Sequence, residues 1–360
     1  MGIAASHLSQ YVRCWNIVGA PLHSRQYLDH PRFLHHSKAI PQLISTLPQY
    51  SKVVLLSLAS LELNSTTLAS IGQLTTLKVL LCDELKYSCA LSLPVPLQLE
   101  AFVVKTDYSG SDDPDEETVD PKSGTIFSPS HLKSLSLMHC LSTTVANFMS
   151  NILIDYKPHT NLVKLEMCVS SCDEDVPRLC HLLKASPLLE ILRVIIESEN
   201  QDEELEDELG SVELEEIHCP LLRDLTAPPS FAPVIAPGRP IRRYSMENYD
   251  SEYTFFSSEI VIESLEAFNP NILTELNFEK THVEDARELL DFIKRHFPRL
   301  QSLRMPVNEV VESDDEISWQ DPPQTRSDNT TPALQRADEG TYLVSPALCR
   351  FRHNFHTNFF

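Results

Sequence analysis

Only eight glycines are spread over 360 residues, which excludes the glycine-rich loops that cradle phosphates. The sequence has no HExxH, no GxSxG and no Walker-type lysine loop, so the common signatures of metalloprotease, serine hydrolase and nucleotide hydrolase chemistry are missing. It has no CxxC pair among its nine cysteines. Basic residues are scarce, with 29 Lys and Arg against 51 Asp and Glu and a net charge of −22. Nucleic acid is therefore not an expected partner, since phosphate binding needs clustered cations. Long apolar runs are absent too. The longest near-apolar stretch is VVLLSLASL, beginning at Val53, far short of a membrane span, and no membrane partner is expected. The first residues, MGIAASHLSQ, lack the basic start and apolar stretch of a secretory signal. Gly2 and Ser6 fit an acylation pattern, but no polybasic second signal follows them.

Cys168, Cys172, Cys180 and His181 stand close in sequence, without the paired spacing a zinc site needs. Several cysteines fall at core positions of the repeat described next, where they act as small buried hydrophobes. Unpaired thiols suit a reducing compartment, the cytoplasm or nucleus. His35, His36, His353 and His356 lie in irregular segments and are read as solvated. No catalytic residue, cofactor or metal is expected, and the chain is read as a non-enzyme. The Asn64 and Asn329 sequons are treated as accidental, because no secretory route is visible.

What the sequence does have is a recurring phrase, L-x-x-L-x-L, with apolar substitutes. Clear copies begin at Leu132, Leu162, Leu189, Leu222, Leu273 and Leu300. Further copies begin at Val12, Val53, Leu77, Leu99 and Ile241. Spacing runs from 19 residues (Leu222 to Ile241) to 41 (Val12 to Val53), most of it near or slightly above the leucine-rich period of roughly 20–29 residues. The fourth and sixth residues of each copy are two apart and share one side of a short strand. Helical spacing follows in several units: Val145 to Tyr156, Val176 to Leu183, Leu68 to Leu74, and Val283 to Phe297 with Thr281 and Glu284 as a capping box. Proline precedes the strand in ASPLLEIL, HCPLLRDL and HFPRLQSL, at Pro187, Pro220 and Pro298.

These phrases resemble fungal F-box and leucine-rich-repeat proteins over roughly residues 11–306, beginning with YVRCWNI. The resemblance implies an α/β leucine-rich-repeat solenoid, with a curved parallel sheet on the concave side and helices on the convex side. It implies a protein-protein interaction scaffold, a substrate-recognition component related to cullin-RING ubiquitin ligases, with ubiquitin-ligase components among its protein partners. The sequence departs from the family in having no F-box. The repeat starts at Val12, so the adaptor-binding role is carried over to no residue. Two other readings stay open: a regulator of an enzyme, such as a GTPase-activating leucine-rich-repeat protein, and a truncated gene product without its own activity.

The solenoid is expected to span 1–306 with about ten strands, and the polar segment 307–360 to be a disordered tail. Two acidic segments, near 107–128 and 199–216, are expected to be loops, their like charges keeping them solvated. Leu135, Leu137, Leu165, Met167, Leu192, Val194, Leu276, Phe278 and Leu303 are the expected core. The third, fifth and seventh residues of each copy then point to the opposite face. They give a candidate protein-binding surface of Leu55, Val79, Leu81, Val103, Met138, Lys164, Glu166, Ile191, Arg193 and Ile195, continued by Arg243, Glu247, Glu275, Glu279 and Arg304.

Overall fold

The computed structural model describes residues 11–19, 40–87, 93–105, 126–138, 161–170, 175–197, 214–247, 255–278, 282–283, 286–306 and 341–343. The architecture is α/β, built on one open parallel sheet. Its strands are β1 (Cys14–Val18), β2 (Leu55–Leu63), β3 (Val79–Tyr87), β4 (Ala101–Val104), β5 (Ser134–Leu137), β6 (Lys164–Ser170), β7 (Ile191–Glu197), β8 (Asp224–Ala227) and β9 (Arg243–Met246). A short strand β10 (Phe255–Phe256) stands apart, pairing with β12 (His282–Val283). The main sheet resumes with β11 (Glu275–Asn277) and β13 (Ser302–Pro306), so eleven parallel strands lie side by side in chain order.

Each of the eleven strands begins two residues after one of the eleven apolar starts read from the sequence. The stack keeps perfect register. Trp15 pairs with Leu56, Leu56 with Leu80, and the line continues through Phe102, Leu135, Leu165, Leu192, Leu225, Tyr244, Leu276 and Leu303. From Leu56 to Leu276 every residue on this line is at most 2% exposed. All nine expected core residues are buried.

A backbone motif repeats at every step. The carbonyl of the second residue of one copy accepts two N–H bonds, from the second and third residues of the next. Arg13 O thus accepts from Val54 and Leu55, Val54 O from Lys78 and Val79, and so on to Thr274 O, which accepts from Gln301 and Ser302. Just before the strand, a three-residue turn bond closes Ser186 to Leu189, Cys219 to Leu222 and Phe297 to Leu300. Pro187, Pro220 and Pro298 occupy the second place of these turns, where a fixed φ suits the backbone and the preceding helix cannot continue.

Helices Ser65–Gly72, Asp175–Lys184, Ser258–Glu266 and Ala286–His296 return the chain between strands. Ile71, Leu179, Leu182, Val261, Leu265, Leu289 and Ile293 join the strand residues in one continuous core. The helices therefore lie on the side that the fourth and sixth residues face. Helix Ser258–Glu266 was not apparent from the sequence, because two of its inward positions are serines. Ser264 Oγ lies 3.4 Å from the Tyr244 hydroxyl and Ser258 Oγ donates to Glu288 at 2.7 Å, so both are satisfied in place. Val283 belongs to β12 and not to a helix, and the expected capping pair Thr281 and Glu284 and the 145–156 helix lie outside the described residues.

The expectation of a tail without structure needs one correction. Thr341–Leu343 forms β14, antiparallel to β13, giving the last parallel strand a neighbour. The acidic runs 112–117 and 199–213 lie outside the described residues, whereas 126–128 and 214–216 are described, and Leu97 bridges Phe127.

Candidate functional site: the open face of the sheet

With helices filling one side of the sheet, the third, fifth and seventh residues of each copy face the other. The cross-strand register turns them into rows. Leu55, Val79 and Ala101 are neighbours in the first row, and Ser57, Leu81 and Val103 in the second. All six are half-buried, so β2 to β4 present a contiguous, largely apolar surface. Strand β1 extends it with Val18, 60% exposed beside Ala59.

Farther along, the surface becomes charged. Lys164 and Glu166, two apart on β6, are ion-paired at 3.0 Å. Ile191 is half-buried. Arg193 reaches Glu247 with two hydrogen bonds, and Arg243 meets Asp224 at 2.6 Å. Burial pushes the Asp224 carboxyl above its ordinary range, against the pull of Arg243, Arg223 and Lys164. Arg243, Glu275 and Arg304 are exposed, and Glu279 lies outside the described residues.

Met138 and Ile195 are not open surface. They are 7% and 3% exposed and form a separate apolar cluster with Cys168. The alternation that turns them away from the main core holds. What fails is the step from facing away to being exposed, since Met138, Cys168 and Ile195, at the seventh position of three successive copies, pack on one another.

The leading edge of the sheet, where the strands begin, carries a feature the sequence reading missed. The second residues form a ladder in which Glu100 lies between Lys78 at 3.7 Å and Lys133 at 2.9 Å, and Glu190 pairs with Arg223. The Lys133 ammonium, helped by Lys78, holds the Glu100 carboxyl below the usual range. The alternation was legible as Lys78, Glu100 and Lys133 at one position of three successive copies.

The short unit between Leu222 and Ile241 is held differently. Arg239, 3% exposed, donates to the carbonyls of His218, Ile235, Pro237 and Glu215 at 2.6–3.1 Å. Its desolvated guanidinium sits below its ordinary pKa. Cys219 Sγ donates to Leu183 O at 3.1 Å, and burial pushes the thiols of Cys219 and Cys180 up to about 11. Cys180 faces the core while His181 beside it is exposed, so the two do not converge. Among the described residues no group of His, Cys, Asp and Glu could hold a metal ion. No helix among them is long and apolar enough to cross a membrane. No family model matches the chain, and no curated protein matches its sequence.

Proposed function

We propose that this chain is a leucine-rich-repeat scaffold, related to the substrate-recognition components of cullin-RING ubiquitin ligases, that takes a protein partner on the open face of β2 to β4. The observation that carries this reading is the apolar grid of Leu55, Val79, Leu81 and Val103, on the face opposite the described helices. An apolar patch rimmed by polar groups is a common protein-binding surface. The regular strand register supports the leucine-rich-repeat assignment, because stacked copies of one short phrase build such a sheet. The thiols among the described residues are free and mostly buried, which fits action in the cytoplasm or nucleus. The role assigned here is holding a substrate; no residue is assigned to adaptor binding.

A photo-crosslinking amino acid placed at Leu81, compared with one at the outward Leu290, tests the surface in cells. Adducts from position 81 that Val103→Glu removes support it, and adducts from position 290 alone overturn it. The ligase relationship has its own test. Cullin-RING subunits recovered with the tagged chain support it, and their absence from a recovered complex removes that part of the reading.

A further inference from the structure

The charge around the apolar grid runs against the charge of the whole chain. Acidic residues outnumber basic ones by 51 to 29. Along the leading edge from β1 to β5, however, Arg13, Lys52, Lys78 and Lys133 stand against Glu100. Arg13 and Lys52 are exposed, and the two other lysines share the one carboxylate. At the far end of the grid Lys105 is exposed and Asp83 half-buried. The described rim is thus basic on a strongly acidic protein.

The geometry suits a helix lying across the strands. Neighbouring strands are about 4.8 Å apart. Helical residues three apart rise about 4.5 Å, so one apolar stripe can meet successive strands. Leu55 and Val79, then Leu81 and Val103, are neighbours across those strands.

Building on the proposed protein-binding face, we infer that the partner segment is an acidic amphipathic helix, its apolar stripe on Leu55, Val79, Leu81 and Val103 and its carboxylates toward Arg13, Lys52, Lys78 and Lys133. The basic rim selects this charge at short range, since the field of a surface charge falls off over a Debye length of about 8 Å at physiological salt.

Two synthetic helical peptides of about 18 residues, long enough to hold a helix, test it with the full-length protein. They share one leucine stripe and carry either glutamate or lysine on the polar face. Fluorescence anisotropy should show the glutamate peptide binding at least about tenfold tighter, a preference of about 1.4 kcal/mol. Leu81→Ser should weaken that binding, and the pair Lys78→Gln with Lys133→Gln should erase the preference, each variant first shown to fold by its circular dichroism and a cooperative melt. Equal or tighter binding of the lysine peptide overturns the inference. If that binding is still lost in Leu81→Ser, the face itself stands. Failure of both peptides to bind overturns the inference, and crosslinking at position 81 then decides separately whether the face is used.

Discussion

Arg193 on β7 spans the whole of β8 to reach Glu247 just past β9, with Nε to Oε2 at 3.0 Å and Nη2 to Oε1 at 2.8 Å. This fork ties together strands that are not neighbours. The Glu247 side chain is 12% exposed, so removing one partner leaves a poorly solvated charge behind. A double-mutant cycle with Arg193→Met and Glu247→Gln, followed by urea unfolding, should give a coupling energy of about 1–2 kcal/mol, reduced by the partial exposure of Arg193. A coupling near zero would mark the fork as a surface contact without weight.

Arg239 is a buried cation satisfied by four backbone carbonyls instead of a carboxylate. Lysine offers three donors from one point and cannot reach carbonyls arranged around a planar fork. Arg239→Lys should therefore destabilise nearly as much as Arg239→Met, each by more than about 2 kcal/mol in denaturant melts. Full stability of the lysine variant would show that charge and not fork geometry is required.

Two glycines separate backbone need from habit. A Cβ at Gly19 would lie 2.0 Å from the carbonyl oxygen of Ser60, whose own φ of 52° places it in the left-handed region. That contact is with backbone and cannot move aside. At Gly72 the nearest atom is the end of the flexible Leu93 side chain, at 2.9 Å. Gly19→Ala should lower the melting temperature clearly. Gly72→Ala, within a helix, should be neutral or raise stability by up to about 1 kcal/mol.

The thiols give a pH dependence with a definite sign. Cys180 and Cys219 ionise near 11 in the fold but near the ordinary 9.0 when unfolded. Below pH 9 both states hold the proton and the fold loses nothing. As pH rises from 9 towards 11 the unfolded chain releases its protons first, so stability falls. Urea midpoints at pH 8 and pH 10.5 should show this loss, and Cys180→Ala with Cys219→Ala should shrink it. In native labelling with a maleimide followed by peptide mapping, exposed Cys14 should react well before Cys82, Cys168, Cys180 and Cys219.

The strand pattern was unusually open to reading because every copy places apolar residues at its first, fourth and sixth positions. Even the irregular members obey it: Cys82, Ala227 and Tyr244 take core places that leucine holds elsewhere. Tyr244 is tolerated because its hydroxyl lies 3.4 Å from both Ala227 O and Ser264 Oγ. What could not be read was anything fixed by backbone geometry or distant packing. The turn in β2 at Ser60 exchanges the faces of the residues after it, so that Leu61 and Leu63 point inward although alternation from Leu58 would send them out. The candidate surface was legible at Leu55, Val79, Leu81 and Val103. It was misjudged at Met138 and Ile195, where strand alternation gives direction but carries no information on how neighbouring side chains bury one another.

The two N–H bonds that the same carbonyl accepts at each step run from backbone to backbone. Whatever side chain stands at that position, from Arg13 through Val54 and Glu100 to Thr274, the join is made in the same way. Connections of very different length therefore leave the joint unaltered: 19 residues separate the copies at Leu222 and Ile241, and 33 separate those at Leu99 and Leu132. Such a chain can gain or shed a complete copy and splice its neighbours through the same bond pattern. Its length is thus free to drift in whole increments over evolutionary time, while the side chains along each joint are left to chance or to selection for whatever the surface must meet.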